Sequence, residues 1–242
     1  MTPRALIPWF PGTNCHWEMK RAFELAGARA EIVLHGDLAR SKKRLFDCDL
    51  LGFAGGFSFG DHFGAGRLAA LELRNLLLDQ LLEVEQRKIP ILGICNGFQI
   101  LVEAGLLPGK NKRDTPTAVL DLNSSARFEH WRNAQIYIHE QRGVDSVWIK
   151  GLDGMPLILP VANAEGRFVS LGSSDAHVIA TYGSKRGEIV YPRSPSGSRI
   201  AAVQNEDGRI AGFMPHPERR VCKLYGGDEG LLIFKAGVEA VK

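Results

Sequence analysis

Apolar runs alternate with stretches of helical periodicity through the first half of the chain. Apolar runs at residues 5–7, 30–34, 50–53 and 89–94 predict strands, because they are short and followed by turn residues. Apolar residues recur at helical spacing over residues 17–26, 67–87 and 97–104, and Gly27 and Gly105 end the first and last of these helices. This repetition predicts a three-layer α/β fold. We expect a mostly parallel, doubly wound sheet that binds ligands at the carboxyl ends of its strands.

The pattern changes near residue 117. From there to about residue 191, short β-like pieces at 134–138, 146–149 and 156–161 are separated by Gly, Asp, Asn and Arg turns, which predicts a small antiparallel β insertion. Residues 200–203 and 210–213 predict a hairpin over residues 205–208, and residues 231–241 predict a closing helix. We therefore expect residues 1–242 to form one domain that carries the insertion at about 117–191.

Composition excludes several classes of protein. The 30 basic and 27 acidic residues are nearly balanced, and the basic ones are scattered apart from residues 42–44, so a nucleic-acid partner is not expected. No apolar stretch approaches the ~18 residues of a membrane span, and the apolar run near Met1 is too short for a signal peptide. The four cysteines are far apart without metal-ligand spacing. They predict free thiols, a cytoplasmic location and no metal site.

The most informative segment is Gly-Ile-Cys-Asn-Gly at residues 93–97, where a predicted strand meets a predicted helix. Small residues around Cys95 allow the sharp strand-to-helix turn of a nucleophile elbow. The free N–H groups and the dipole of the following helix favour a thiolate over a thiol. A buried structural cysteine is the alternative reading of this segment alone.

A thiolate nucleophile needs a base and a group that orients the base. His216 is the candidate base, because Met-Pro-His-Pro-Glu-Arg at residues 214–219 directly follows a predicted core strand. In an extended segment, residues i and i+2 project to the same side, so Glu218 is expected to reach the imidazole. The alternative is a turn histidine beside a surface glutamate. The six other histidines are expected at the surface or in loops.

A glycine-rich segment, Gly-Gly-Phe-Ser-Phe-Gly-Asp at residues 55–61, follows the third predicted strand. It lacks the Lys-Ser/Thr ending of a phosphate-binding P-loop. An acyl-transfer site needs amide donors for the oxyanion of the tetrahedral intermediate. We expect the backbone N–H groups of Gly56 and Asn96 to form this oxyanion hole.

Five segments together carry a specific resemblance. They are Phe-Pro-Gly-Thr-Asn-Cys at 10–15, the glycine-rich segment at 55–61, the elbow at 93–101, Glu-Ala-Gly-Leu-Leu-Pro-Gly at 103–109 and the histidine segment at 214–219. In this order they resemble the class I, triad-type glutamine amidotransferases. Cys-Asn-Gly-Phe-Gln at the elbow is most similar to the stand-alone glutaminase subunits that serve the fourth step of purine biosynthesis.

The resemblance implies a function and a partner. Cys95 would attack glutamine and form a γ-glutamyl thioester, with His216 as acid and base and Glu218 orienting it, while Gln99 and Phe57 would hold the substrate. The ammonia would pass to a synthetase subunit that converts formylglycinamide ribonucleotide to formylglycinamidine ribonucleotide, with a small bridging subunit in the complex. ATP and Mg would be used by the synthetase, so no cofactor is expected in this chain.

The sequence departs from the family pattern at two places. Asn163-Ala164 stands where the family usually has His-Gly, and the segment around Gly64 lacks an arginine often found before Ala-Gly. We expect neither departure to touch the triad and both to bear on coupling to the partner. Two alternatives stay open: a cysteine hydrolase or chaperone-like protein of related fold, which lacks the Pro-His-Pro-Glu segment, and a non-catalytic scaffold subunit, which would have lost a triad residue.

Overall fold

A computed structural model describes residues 1–109, 116–140, 144–171, 176–183 and 194–242. Its helices are α1 His16–Leu25, α2 His35–Arg40, α3 Arg67–Gln86, α4 Asn96–Glu103 and α5 Leu231–Glu239. Its strands are β1 Arg4–Trp9, β2 Arg29–Leu34, β3 Leu50–Phe53, β4 Ile91–Ile94, β5 Ala118–Leu122, β6 Glu129–Ile138, β7 Pro156–Asn163, β8 Glu165–Ser170, β9 His177–Tyr182, β10 Ile200–Gln204 and β11 Ile210–Phe213.

One nine-stranded sheet organises the chain, in the order β2-β1-β3-β4-β11-β10-β9-β6-β7. The strands from β2 to β11 along this order pair in parallel, and those from β11 to β7 pair antiparallel. The α/β fold with a parallel, doubly wound core is therefore confirmed. Strands β3 and β4 are adjacent, so the loops that follow their carboxyl ends lie at the same edge of the sheet.

The strands of the predicted insertion divide between two sheets. Its strands β6, β7 and β9 extend the main sheet beyond β10, while β5 and β8 pair as a second, two-stranded antiparallel sheet. Part of the insertion, residues 141–143, 172–175 and 184–193, lies outside the described residues. The one-domain organisation stays a prediction.

The helices pack in two groups against the parallel half of the sheet. Helix α1 contacts β1, β2 and α5, whereas α4 contacts β3, β4, β11 and α3. Their buried faces are apolar, as the helical spacing of the sequence predicts. Among the residues described, no helix is both long and apolar enough to cross a membrane.

The prediction of a strand at residues 146–149 is wrong. This segment forms a turn, in which the Val147 N–H donates to Gly208 O at 3.0 Å. Trp148 is fully buried there, and its Nε1 donates to Arg209 O at 2.8 Å. A short apolar run indicates burial equally well for a strand and for a packed turn, which explains the error. Helix α2 was not predicted, because six residues are too few for a clear helical period.

Candidate active site

Cys95 lies in the sharp turn between β4 and α4, as its sequence setting predicts. Its backbone has φ 51° and ψ −108°, and its N–H donates to Phe213 O at 2.7 Å. A residue other than glycine at such positive φ costs about 1–3 kcal/mol and persists only where the surroundings enforce it. Gly97 is one of these enforcing features, since a β-carbon there would lie 1.9 Å from Phe53 O. The turn holds Cys95 at the N-terminus of α4.

His216 and Glu218 form a buried pair. Nδ1 of His216 lies 2.6 Å from Oε1 of Glu218, and the two residues are 1% and 2% exposed. His216 is the only one of the seven histidines that is fully buried. The contact was predicted, but not its geometry. The segment is not extended: Pro217–Arg219 forms a 3₁₀ turn, which brings Glu218 back to the imidazole.

The electrostatic setting of His216 favours the imidazolium. Burial by itself lowers the pKa of His216, but the charges of Glu218 and Cys95 raise it, and the resulting pKa is well above the usual value. Its Nε2 is buried without a hydrogen-bond partner in the part of the chain that the structure describes. A β-carbon on Gly55 would lie 2.9 Å from His216 Cε1 and 3.4 Å from Cys95 Cβ, so the imidazole and the cysteine share one small space.

The glycine-rich loop and the elbow face each other, as expected. The Ser58 N–H donates to Asn96 Oδ1 at 3.1 Å, and Asn96 Nδ2 donates to Asp61 Oδ1 at 3.0 Å. Gly56 has φ 145°, a conformation that favours glycine. Neither the Gly56 nor the Asn96 N–H donates to any carbonyl among the loop and turn hydrogen bonds of the described residues. The role of these two N–H groups as the oxyanion hole stays a prediction.

A narrow cavity of about 40 Å³ opens beside Cys95. Gln99 lies in its wall, where Oε1 accepts from Asn96 Nδ2 at 3.0 Å and Nε2 donates to Glu165 O at 2.6 Å. Phe57 also lines the cavity, and its half-exposed ring lies 6.2 Å from the ring of Phe128 at the open side. Both predicted substrate-binding residues thus border the same cavity as the thiol.

The segment that precedes the departure at Asn163-Ala164 contacts the proposed triad, while the expectation that the departures themselves do not touch it stays a prediction. The Cys95 Sγ lies 3.5 Å from Ala162 O, its hydrogen-bond acceptor, and the His216 N–H donates to Pro160 O at 2.8 Å. The departure at Asn163-Ala164 consequently lies in the wall of the site. The insertion returns to the parallel half of the fold, and no local sequence pattern signals such a long-range contact.

The segment around Gly64 reaches the same wall. The Ala65 N–H donates to Glu165 Oε2 at 3.1 Å, and Ala65 lines the cavity. Asp61 lies close by, and burial raises its pKa to about 6. Sequence reasoning did not single out Asp61 or Glu165, although Asp61 ends the glycine-rich segment, which is a signal that points to it.

Cys15 is a further residue that the sequence did not place at the site. Donor atoms of Cys15, His216 and Glu218 all lie within 4.8 Å of one another, a spacing that a metal ion also requires. However, Arg219 Nη2 donates to Cys15 Sγ at 3.0 Å, and His216 and Glu218 bond directly. A guanidinium already supplies the positive charge beside the sulfur. We therefore interpret the group as a hydrogen-bonded cluster and not as a metal site.

The fold and this arrangement define a class of protein. A thiol at an elbow, a buried histidine–carboxylate pair and free amide donors are the parts of a cysteine acyl-transfer site. Residues 2–226 match the family model of the CobB/CobQ-like glutamine amidotransferase domain, and the chain belongs to this family.

More specific relatives cover nearly the whole chain. Phosphoribosylformylglycinamidine synthase subunit PurQ of Pyrococcus furiosus is 36% identical over 235 residues, which are 96% of this chain and 96% of that protein. The subunit of the same name from Dehalococcoides mccartyi is 40% identical over 227 residues, 90% of this chain and 86% of that protein. A chain in the structure of PurLQS from Thermotoga maritima superposes with a TM-score of 0.81 and 32% identity, and each chain is fully covered.

The two PurQ relatives are named as subunits of the same kind of synthase, so they do not favour the alternative of a cysteine hydrolase or chaperone-like protein. The resemblance that the five sequence segments carry is confirmed. The catalytic and binding roles of individual residues stay predictions.

Proposed function

We propose that this protein is the glutaminase subunit of phosphoribosylformylglycinamidine synthase. It hydrolyses glutamine to glutamate and ammonia, and the ammonia converts formylglycinamide ribonucleotide to formylglycinamidine ribonucleotide on a partner synthetase. The relatives named as PurQ subunits support this assignment. The site supports it independently, because its parts suit the cleavage of an amide through a thioester.

The reaction takes two acyl-transfer steps. The Cys95 thiolate attacks the side-chain amide carbon of glutamine, and the N–H groups of Gly56 and Asn96 hold the resulting oxyanion. His216 gives its proton to the departing nitrogen, so ammonia leaves and a γ-glutamyl thioester remains. His216 then takes a proton from water, which attacks the thioester and releases glutamate and the Cys95 thiolate.

The single observation that carries the proposal is the buried 2.6 Å contact between His216 and Glu218 beside Cys95. A carboxylate on Nδ1 keeps the other ring nitrogen directed at the nucleophile and stabilises the imidazolium. A cluster with only a structural role would not need Cys95 in a strained backbone conformation at the N-terminus of α4. In this proposal, the side chain of the substrate glutamine occupies the cavity that Gln99 and Phe57 border.

The use of the ammonia depends on partner subunits. We infer that the synthetase subunit uses ATP and Mg, that a small bridging subunit joins the complex, and that this chain needs no cofactor of its own. The complex acts in the cytoplasm, where free thiols persist. The Thermotoga maritima structure named PurLQS supports an assembly of this kind.

A reconstituted complex tests the proposal. The Cys95→Ala variant is expected to lose glutamine-dependent synthesis while ammonia-dependent synthesis stays near the wild-type rate, because the thiolate is needed only to break the amide. Cys222→Ala, which alters a half-exposed thiol outside the site, is the matched control and should keep both activities. Full glutamine-dependent activity in Cys95→Ala would refute the assignment.

A further inference from the structure

Cys15 is a buried thiol that the proposed reaction does not use. It is 1% exposed and precedes α1, whose first backbone hydrogen bond runs from the Met19 N–H to Cys15 O at 3.0 Å. Its Sγ accepts from Arg219 Nη2 at 3.0 Å and lies 3.2 Å from Asn14 Oδ1, to which the thiol donates. The same sulfur belongs to the cluster within 4.8 Å that includes His216 and Glu218. A second sulfur therefore stands beside the proposed catalytic imidazole.

The backbone of Cys15 holds the other half of the site. Its N–H donates to Gly55 O at 3.1 Å. The Gly55 carbonyl and the Gly56 N–H belong to one trans peptide group, so they point in opposite directions. When Cys15 fixes the carbonyl, it also fixes the direction of the proposed oxyanion donor.

The neighbouring residues reinforce this contact. The Phe57 N–H donates to Gly12 O at 3.0 Å, and the Phe59 N–H donates to Pro11 O at 2.6 Å. The segment 10–15 thus binds the glycine-rich loop along its length. A β-carbon on Gly55 would lie 3.4 Å from both Cys15 Sγ and Cys95 Cβ, so both thiol residues meet the loop at the same point.

We propose that Cys15 is a positioning residue that joins the oxyanion loop to the turn bearing His216 and Glu218. Its amide sets the 55–56 peptide, and its sulfur, through Arg219, sets the Pro217–Arg219 turn. The oxyanion loop and the turn that bears His216 and Glu218 then keep fixed positions relative to Cys95. The inference rests on the proposed function, because it assumes that His216 and the Gly56 N–H act on glutamine.

Substitution of the sulfur separates this role from simple packing. In the full-length chain bound to its synthetase partner, Cys15→Ala keeps the backbone amide but leaves Arg219 without its acceptor. We expect kcat for glutamine hydrolysis to fall about 10- to 100-fold with KM within about twofold, since small misplacements of catalytic groups cost this much. Cys15→Ser should recover most of the loss, because a hydroxyl accepts from Arg219 and donates to Asn14. Cys48→Ala is the matched control: Cys48 is also a buried thiol, but its Sγ donates to Leu45 O in the core.

The pH dependence of kcat distinguishes a positioning role from a packing defect, because a packing defect alone would not shift it. Among the described residues, the titratable groups that face the imidazole of His216 are Glu218, Cys95 and Cys15, and Arg219 acts through the sulfur of Cys15. Cys15 is one of the groups that raise the pKa of His216, after Glu218 and Cys95. In Cys15→Ala, the basic limb of the kcat profile should therefore shift to lower pH, and in Cys48→Ala it should stay in place.

A double-variant cycle completes the test. If Cys15 and Arg219 act through their shared contact, Cys15→Ala combined with Arg219→Gln should lose no more activity than the more damaging single variant. Additive losses, or a Cys15→Ala kcat within twofold of wild type with an unchanged pH profile, would overturn the proposal. If Cys15→Ala does not fold, Arg219→Gln decides through kcat: a value within twofold of wild type would overturn the proposal, whereas Cys15→Ser, which keeps the contact with Arg219, should stay near wild type. The proposed function is tested separately: if wild type hydrolyses glutamine and Cys95→Ala does not, the proposed function stands even when the Cys15 variants contradict the positioning role.

Discussion

Nδ1 of His216 and Oε1 of Glu218 lie 2.6 Å apart, and both side chains are closed to solvent. The two residues come from one short turn, so their contact does not depend on distant elements. Burial would otherwise discourage a charged imidazole, but the carboxylate and Cys95 outweigh this effect and raise the pKa of His216. The pair therefore favours a protonated imidazole beside Cys95.

The first prediction concerns Glu218→Gln. Without the carboxylate charge, burial dominates and the pKa of His216 falls, so the imidazolium is lost at a lower pH. We expect kcat/KM for glutamine to drop roughly 100-fold, the order typical of general acid–base catalysis, and its basic limb to shift to lower pH. Rates measured from pH 5.5 to about 9.5 test this. Glu239→Gln, at the exposed end of α5, should leave the profile unchanged, whereas an unaltered profile in Glu218→Gln would contradict the orienting role.

The second prediction separates the four thiols. A diazo-ketone analogue of glutamine should label Cys95, and excess glutamine should protect it, because only Cys95 combines the cavity with His216. Cys15 is closed to solvent, and burial raises the pKa of Cys48 to about 12, which keeps it unreactive. Iodoacetamide should instead modify the more exposed Cys222 without any protection by glutamine. Peptide mass spectrometry that finds the diazo-ketone equally on two cysteines would refute this selectivity.

The parts of the site that lie close together in sequence could be predicted, and those joined across the fold could not. The elbow at Cys95 follows from small residues between an apolar strand and a helix, and Glu218 lies two residues from His216. Cys15 contacts Arg219 across 204 residues of chain, and Ala162 contacts Cys95 across 67. No spacing or periodicity encodes such contacts, because they arise only when the insertion and the first loop pack on the sheet.

The fold shows the same division. The parallel strands β1 to β4 were predicted because each is a short apolar run that precedes a helix or loop signal. The insertion was correctly expected to be antiparallel, but its attachment to the main sheet through β9 and β10 was not anticipated. Alternation of apolar and polar residues indicates that a segment forms a strand, but it does not indicate which other strand it pairs with.

The third prediction uses Asp61. Burial raises its pKa to about 6 in the folded chain, against an ordinary value of about 4. Between these two pH values the folded chain binds more protons than the unfolded chain, so stability falls as the pH rises through this window. Asp61→Asn removes this dependence. The melting temperature of the variant relative to wild type should therefore increase from about pH 4 to 6 and level off above about pH 7.

Exposed Asp79 on α3 provides the comparison for this measurement. The trend is assigned to Asp61 only as far as it exceeds any trend in relative melting temperature that Asp79→Asn shows over the same range. A constant difference between Asp61→Asn and wild type at every pH would show that the Asp61 carboxyl titrates alike in the folded and unfolded chains, which contradicts the effect of burial.

The last prediction concerns Gly56 and the dependence of activity on the partner. Free ammonia is wasted without an acceptor, and the cavity beside Cys95 is narrow, so we expect the isolated chain to hydrolyse glutamine slowly and the assembled complex to hydrolyse it faster. If the partner controls the hydrogen bond from the Cys15 N–H to Gly55 O, its loss would let the 55–56 peptide reorient and turn the Gly56 N–H away from the oxyanion hole. One such donor is worth about 3 kcal/mol, roughly a hundredfold in rate.

Gly56→Ala tests this directly. Gly56 has φ 145°, and a β-carbon there would lie 2.6 Å from Asn14 N, so the peptide cannot keep its orientation. We expect glutamine hydrolysis in the complex to fall about a hundredfold while ammonia-dependent synthesis is retained. Gly151→Ala is the matched control, since Gly151 also has positive φ but no atom lies within 4 Å of its β-carbon position. An isolated wild-type chain that is as fast as the complex would refute the gating by the partner, and a fully active Gly56→Ala variant would remove Gly56 from the oxyanion hole.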